Sequence, residues 1–294
     1  AKNNYVAPDL FLLKLSILYL AAVVLGGPGN MPGVVVGAVL VSYLPERFRF
    51  LDTSRYFWFG VALVDFHAVV GLIGPNGAGK TTCFNVMTGV YQATSGQVRF
   101  QGAPIAKLDR HRITRLGIAR TFQNIRLFPE MTALENVIVG CDAHATTGMF
   151  GALFRTPKQR REEAASRARA MELLTFMGIA DRADDAAKNL PYGYQRRLEI
   201  ARALATNPTL LCLDEPAAGF NPAEKVELMG LIRSIRDQGY TVLLIEHDMS
   251  LVMGVTDRIV VLDFGRKIAE GTPAEVRANP AVIAAYLGEA SDVA

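Results

Sequence analysis

From residue 68 onward, short apolar runs alternate with longer segments in which apolar and polar residues mix. Uninterrupted apolar runs of this length, rich in β-branched residues, are typical of strands buried on both faces. The mixed segments have the spacing of amphipathic helices. The pattern predicts strands at 68–73, 97–101, 117–122, 209–213, 241–246 and 258–263, and helices at 81–89, 132–141, 157–177, 196–205 and 222–238. Such alternation predicts an α/β fold.

A glycine-rich loop follows the first of these strands. Residues 74–81 read GPNGAGKT, which fits G-x-x-x-x-G-K-[ST], the phosphate loop or Walker A motif. A loop between a strand and a helix directs backbone N–H groups and the positive helix end at a polyphosphate. Gly77 and Gly79 permit close backbone approach. Lys80 is expected to reach the β- and γ-phosphates, and the Thr81 hydroxyl to bind Mg²⁺. The alternative is a glycine-rich turn that matches by chance.

An acidic pair ends another apolar strand. Residues 210–216 read LLCLDEP, so Asp214 lies at the carboxyl end of a strand, where ligands bind in open α/β sheets. Its carboxylate can hold Mg²⁺. Glu215 comes next and points the other way if the chain stays extended. There it can orient and deprotonate a water molecule, although a solvated strand end is the simpler alternative. Together with the phosphate loop, this pair predicts a site that binds and hydrolyses a nucleoside triphosphate.

The start of the chain is its most apolar part. Half of the residues are hydrophobic and the mean hydropathy is +0.21. Apolar runs at 11–25, 34–44 and 56–64 are each shorter than the ~18–20 residues of a clean membrane span. Helices broken by Gly and Pro within a membrane bundle fit this pattern, and Arg47, Arg49 and Arg55 favour a cytoplasmic end after the second run. The alternatives are a buried soluble hairpin and a signal peptide; Lys14, inside the first run, fits the signal peptide poorly.

Charge and cysteine content add two exclusions. A net charge of +3 is too small to indicate a nucleic-acid partner. Cys83, Cys141 and Cys212 lack the spacing of metal ligands and are expected to be reduced, buried thiols of a cytosolic domain. The mixed charges at 155–174 are most simply the solvated face of a helix.

Three further features resemble a known family. Gln123 follows GIARTF, the segment LPYGYQ (190–195) precedes a helix, and His247 follows TVLLIE. Each alone has an ordinary structural explanation. In this order, together with the two phosphate motifs, they resemble the Q-loop, the signature motif and the switch histidine of ATP-binding cassette (ABC) ATPases. The resemblance extends over about residues 68–288.

The resemblance implies a mechanism that needs two cassettes. Each would bind ATP on its own phosphate loop, and the signature segment of a partner, at a helix N-terminus, would close over the γ-phosphate. His247 would hydrogen-bond the γ-phosphate and hold the attacking water with Glu215. Gln123 would contact Mg²⁺ and sense the neighbouring membrane domain. Closing and opening of the pair would then move the permease.

Longer segments narrow the resemblance to one subfamily. LPYGYQRRLEIARALATNP, LDEPAAGFNP, RLFPEMTALENV and EGTPAEVRANPAVIAAYLGE closely resemble branched-chain amino-acid uptake cassettes. Residues 15–51 resemble the C-terminal membrane part of the permease of such a system. The expected organisation is therefore a permease-like fragment at 1–64, which forms a short membrane-type helical segment, followed by an ABC domain at 65–294 with a helical subdomain at about 124–190.

This resemblance also implies partners and a location. The partners are a second ABC ATPase subunit, identical or different, membrane permease subunits and a periplasmic amino-acid-binding protein, without nucleic acid. The location is the cytoplasmic (inner) membrane, with the ATPase domain on the cytoplasmic side. Two alternatives stay open: a non-catalytic nucleotide-binding remnant, and a soluble cassette that acts on nucleic acid or ribosomes.

Several positions depart from the family pattern. The family usually has two strands before the phosphate-loop strand, with an aromatic residue that stacks on adenine. Here the membrane-type segment leads almost directly into the phosphate loop, and Phe59 is a candidate for that aromatic residue, with membrane or core packing as its alternative. Pro191 stands where Ser is frequent, Tyr194 replaces a polar residue, and Asn221 stands where many cassettes have Asp, whereas Gly193 is retained.

The predicted site residues fall into three groups. The catalytic residues are Glu215, His247 and Gln123, and the Mg²⁺ ligands are Thr81, Gln123 and Asp214. The residues predicted to bind ATP are Gly74, Pro75, Asn76, Gly77, Ala78, Gly79, Lys80, Thr81 and Thr82 of the phosphate loop, and Pro191, Tyr192, Gly193, Tyr194 and Gln195 of the signature segment.

Overall fold

A mostly parallel sheet forms the centre of the fold. The computed structural model describes residues 67–144, 154 and 156–287. Within these residues the strands are β1 (Val69–Ile73), β2 (Arg99–Phe100), β3 (Ala103–Pro104), β4 (Ile118–Arg120), β5 (Leu210–Asp214), β6 (Thr241–Ile245), β7 (Arg258–Asp263) and β8 (Arg266–Gly271). Six of them form one sheet in the order β4-β5-β6-β1-β7-β8. Its first five strands are parallel, and β8 is antiparallel to β7.

Helices connect and cover these strands. They are α1 (Lys80–Met87), α2 (Arg110–Arg115), α3 (Ala133–Cys141), α4 (Pro157–Phe176), α5 (Tyr192–Ala205), α6 (Pro222–Asp237), α7 (Met249–Val255), α8 (Pro273–Arg277) and α9 (Pro280–Leu287). Capping boxes begin α3, α6 and α8, where the side chain of an N-cap Thr or Asn accepts from a backbone N–H three residues on. Asn221, which departs from the family pattern, is the N-cap of α6.

The apolar pattern of the strands places side chains on both faces of the sheet. In β5, Leu211 and Leu213 pack into a cluster with α3, α4, α5 and α6, whereas Leu210 and Cys212 pack with Phe84 of α1. Because successive strand residues point to opposite faces, one uninterrupted apolar run fills two cores. A third cluster joins Ile73, the last residue of β1, to the C-terminal helices through Val276 and Val282.

The strands and helices predicted from the sequence are confirmed, with shifts of one or two residues at most ends, apart from two exceptions. The helix expected at 196–205 begins four residues earlier, at Tyr192, so most of the segment expected to precede it lies in its first turn. Of the strand expected at 97–101, only Arg99–Phe100 is extended, and it pairs with Ala103–Pro104 as a separate two-stranded hairpin. No helix among the described residues is both long enough and apolar enough to cross a bilayer. The permease-like fragment, the membrane-type segment and Phe59 lie outside the described residues, so these interpretations stay predictions.

A close contact between α3 and α5 gives a prediction about stability. A Cβ added to Gly140 would lie 2.3 Å from the carbonyl oxygen of Arg202 and 2.8 Å from Cβ of Ala205. We expect Gly140→Ala to lower the free energy of unfolding by about 1–3 kcal/mol, because backbone atoms must move apart. Gly230→Ala in α6 is the control: nothing lies within 4 Å of its added Cβ, and better helix propensity should stabilise the protein by up to about 1 kcal/mol. Equal denaturation midpoints of the two variants would contradict this packing.

Candidate functional site

The phosphate loop connects the end of β1 to the start of α1. Gly74, Gly77 and Gly79 have positive φ angles of 152°, 80° and 96°. A Cβ on Gly74 would lie 2.1 Å from the carbonyl oxygen of Leu262, so the loop lies against β7 too closely for any other residue. The backbone N–H of Gly265, in the β7–β8 turn, donates to the carbonyl of Ala78 at 2.9 Å. The loop is therefore held in one shape by its own neighbours.

Lys80 is folded against the loop that precedes it. Its Nζ donates to the carbonyl oxygens of Gly74 at 2.8 Å and Pro75 at 3.0 Å. Burial lowers the pKa of Lys80, while the negative charge of Glu215 opposes that shift. Thr81 and Thr82, in the first turn of α1, are exposed. The N-cap of this helix is Gly79, so no side chain of the N-cap residue accepts from the first N–H groups. The open helix start and the exposed hydroxyls provide donors for an anionic ligand.

Asp214 ends β5 and is buried in an ion pair that the sequence did not reveal. Its Oδ2 lies 2.7 Å from Nη2 of Arg120, and both side chains are almost fully buried. Nη1 of the same guanidinium donates to Oδ1 of Asn85 at 2.7 Å and to Oγ1 of Thr88 at 3.1 Å. The signal in the sequence was a charged residue, Arg120, within GIARTF, a segment predicted to be a buried strand. Asp214 is thus tied to β4 and α1 at once.

The three predicted catalytic residues are in direct contact. Oε1 of Glu215 lies 2.6 Å from Nε2 of His247, and Nε2 of Gln123 donates to Oε2 of Glu215 at 2.9 Å. The side chain of Glu215 is 16 % exposed, whereas that of His247 is 51 % exposed. Gln123 follows β4, Glu215 follows β5 and His247 follows β6, so adjacent parallel strands bring them to one edge of the sheet.

The backbone at Glu215 corrects one expectation. The sequence suggested an extended chain, in which Glu215 would point away from Asp214. Its φ is instead 49°, in the left-handed region that non-glycine residues seldom occupy, and its N–H donates to the carbonyl of Ile245 at 2.9 Å. Such strain is characteristic of functional sites. The turn after Asp214, and not strand alternation, sets the direction of the Glu215 carboxylate.

The signature segment (residues 191–195) forms the start of α5. Pro191 is the N-cap of this helix, with φ −55° and ψ 151°, and its side chain accepts no hydrogen bond from the first turn. Tyr192 and Tyr194 are exposed, and the ring of Tyr192 meets that of Phe220 edge to face at 6.2 Å. Gly193 and Gln195 are partly buried, and Gln195 donates to the carbonyl of Leu190 at 2.8 Å. The segment therefore presents a helix N-terminus flanked by two tyrosine rings.

Burial disfavours the thiolate form of the three cysteines. Burial raises the pKa of Cys212 to about 12 and that of Cys83 to about 12, and raises that of Cys141. No disulfide joins the three cysteines, and the predicted burial is found for Cys212, whereas Cys83 and Cys141 are partly buried. Their reduced state stays a prediction.

Comparison with known proteins assigns this fold and site to a family. Residues 64–218 match the family model described as ABC transporter, and residues 266–292 match that of the branched-chain amino acid ATP-binding cassette transporter. The chain therefore belongs to the ABC transporter family of ATPases. Within that family it is similar to the high-affinity branched-chain amino acid transport ATP-binding protein BraF of Pseudomonas aeruginosa, with 52% identity over 76% of this chain and 88% of BraF.

Solved structures agree with this family. The crystal structure of the ADP conformation of an ATP-binding cassette of an ABC transporter superposes with a TM-score of 0.65 and 33% identity, covering 76% of this chain and 89% of that one. A dimeric structure of another cassette in a post-hydrolysis state, bound to ADP and Pi, has a TM-score of 0.60 and 28% identity over 71% and 87% of the two chains. The predicted fold and family are thus confirmed. The roles of individual residues stay predictions.

Proposed function

We propose that this chain binds and hydrolyses MgATP to drive uptake of branched-chain amino acids by a membrane transporter. One observation carries the chemical part of the proposal: the Glu215 carboxylate is held between Gln123 and His247 at the edge of the sheet where the phosphate loop also lies. The 52% identity to a branched-chain amino acid transport protein supports the choice of substrate.

Nucleotide binding would depend on the phosphate loop. The backbone N–H groups between Gly74 and Thr82 would surround the phosphates, and the Lys80 ammonium would exchange its two loop carbonyls for phosphate oxygens. Because burial lowers the pKa of Lys80, its positive charge is costly in place, and a polyphosphate would stabilise it.

The residues present fit a magnesium ion. The Thr81 hydroxyl, the Gln123 amide oxygen and the Asp214 carboxylate are hard oxygen donors of the kind that Mg²⁺ prefers, and they would hold it. The ion pair with Arg120 fixes the orientation of Asp214 in advance. When bound, Mg²⁺ would neutralise charge on the β- and γ-phosphates.

Hydrolysis would use the cluster around Glu215. Its carboxylate would accept a proton from the attacking water, and the amide of Gln123 would keep that carboxylate oriented. The ring N–H that His247 directs at Glu215 would instead donate to the γ-phosphate once ATP is bound. The exposed start of α5 would serve the ATP of a partner cassette, so turnover would need a dimer with an identical or a different subunit.

Partners and location complete the proposal. A cassette dimer would act on permease subunits of the cytoplasmic membrane from its cytoplasmic side, with a periplasmic amino-acid-binding protein delivering the substrate. Similarity to a transport ATP-binding protein supports this arrangement.

Uptake by proteoliposomes tests the proposal. The chain would be reconstituted with its permease subunits, and labelled leucine would be offered with the binding protein outside and MgATP inside. We expect uptake that requires ATP, with valine and isoleucine competing and lysine not competing. ATP-independent leucine uptake, or ATP-driven uptake that lysine suppresses equally, would contradict the proposal.

A further inference from the structure

Arg196 and Glu199 form an ion pair inside the protein, one turn beyond the start of the signature segment. Nη1 of Arg196 lies 2.8 Å from Oε2 of Glu199, and their side chains are 0 % and 1 % exposed. In the sequence this i,i+3 pair resembles an ordinary surface pair on a helix. Buried charges are expensive unless further hydrogen bonds satisfy them, so the other partners of this pair show what it holds in place.

Those partners are backbone groups on both sides of Gln123. Arg196 donates to the carbonyl oxygen of Phe122 at 2.7 Å and to that of Gln123 at 2.9 Å. Glu199 accepts from the backbone N–H of Phe122 at 3.3 Å and from that of Arg126 at 3.3 Å. Four hydrogen bonds therefore connect one turn of α5 to residues 122–126, the Gln123 segment.

The same guanidinium also touches the signature segment. Nη2 of Arg196 donates to the hydroxyl of Tyr192 at 3.2 Å, and the guanidinium carbon lies 5.8 Å from the centre of that ring. At the other end, the side chain of Gln123 donates to Glu215. A continuous path of hydrogen bonds thus runs from Tyr192 through Arg196 and Gln123 to the carboxylate of Glu215.

We propose that the buried Arg196–Glu199 pair is a positioning element that couples the Gln123 segment to the signature helix within one protomer. The inference rests on the proposed function, in which the Gln123 segment serves the protomer's own ATP and the signature segment serves that of the partner. A displacement of Gln123 moves the carbonyl that Arg196 holds, and Arg196 moves the start of α5. Nucleotide binding at the protomer's own site thereby changes the position of the signature segment, which serves the partner's site.

Hydrogen exchange measures this coupling without any turnover. The purified chain is kept dilute enough to be monomeric, as checked by size exclusion, and exchange is compared with and without MgADP. In the unmodified chain we expect MgADP to change exchange in peptides of the phosphate loop and also in peptides covering 190–200. In Arg196→Lys the phosphate-loop response should persist, while the response of 190–200 falls by at least about twofold. Lysine keeps the charge beside Glu199 but loses the forked contact with two carbonyls.

A neighbouring arginine provides the matched control. Arg197 lies on the same helix, but it donates to the carbonyl of Met177 and pairs with Glu227, away from the Gln123 segment. Arg197→Lys should leave the response of 190–200 unchanged. A double variant, Arg196→Met with Glu199→Gln, covers the case in which Arg196→Lys does not fold. It removes both charges and keeps an amide oxygen for the N–H groups of Phe122 and Arg126, and the same loss of response is expected.

The outcomes separate this inference from the proposed function. An unchanged response of 190–200 in folded Arg196→Lys or in the double variant overturns the coupling. The coupling is also overturned if, in the unmodified chain, MgADP changes exchange in the phosphate loop but not in residues 190–200. It is overturned as well if Arg197→Lys reduces the response of 190–200 as much as Arg196→Lys does. If MgADP does not change hydrogen exchange in the phosphate loop, the chain does not bind the nucleotide. That result contradicts the proposed function, and with it the coupling that depends on nucleotide binding.

Discussion

Glu215→Gln is expected to remove ATP turnover and to leave ATP binding intact. Glutamine has nearly the shape of glutamate and can still contact Gln123 and His247, which hold the carboxylate at 2.9 and 2.6 Å. It cannot accept a proton from water at neutral pH. Since general-base catalysis contributes about 10²–10⁴-fold, we expect a loss of that size in kcat, measured as phosphate release. The Kd for ATP, measured by calorimetry, should change little.

A second carboxylate serves as the control for this variant. Glu227 is exposed, lies on α6 and pairs with Arg197. Glu227→Gln should therefore turn over ATP at the rate of the unmodified chain. Turnover of Glu215→Gln equal to that of Glu227→Gln would remove Glu215 from the role of general base. A parallel loss of ATP affinity in Glu215→Gln would show instead that the carboxylate helps to form the binding site.

Lys80→Ala is expected to weaken ATP binding strongly. The Lys80 ammonium lies buried within the phosphate loop, 2.8 and 3.0 Å from two of its carbonyl oxygens. A hydrogen bond to a charged group is worth about 1.5–3 kcal/mol, which corresponds to an increase in Kd of roughly 10- to 150-fold. Calorimetric titration of the variant with ATP measures this increase in Kd directly.

Lys188→Ala is the matched control for Lys80→Ala. Lys188 is exposed and pairs with Glu130 at the surface, so its removal should leave the Kd for ATP unchanged. A Kd for Lys80→Ala within twofold of the control would contradict the assignment of residues 74–81 as the phosphate loop. Thermal unfolding of both variants shows whether a loss of binding reflects a loss of fold.

The central sheet could be predicted because its strands are nearly continuous apolar runs. β1, β5 and β6 are buried at every position, so periodicity and length alone identified them. β8 was missed because its residues, RKIAEG, alternate irregularly and none of them is buried. Its pairing with β7 depends on a turn at Phe264 and Gly265, with φ of 42° and 74°, whose first residue is not a usual turn former.

The loop motifs of the site could be predicted, but the contacts that hold them could not. Fixed spacing identifies the phosphate loop and the acidic pair, and a resemblance adds Gln123, His247 and the signature segment. Asp214, which pairs with Arg120, lies 94 residues from it in the sequence, and Phe122, whose carbonyl accepts from Arg196, lies 74 residues from that arginine. Only the folded chain brings them together, and burial turns what looks like surface charge into a structural element. The left-handed turn at Glu215 was hidden for the same reason, since it depends on the carbonyl of Ile245 in the neighbouring strand.

Phosphate release from MgATP by the purified full chain, in detergent or lipid, tests the central claim most directly. We predict steady turnover that requires Mg²⁺ and disappears in Glu215→Gln, whose ATP binding remains. Failure of the unmodified chain to bind ATP, or to hydrolyse it when the partner cassette is also supplied, would contradict the claim that this chain is a working ATPase.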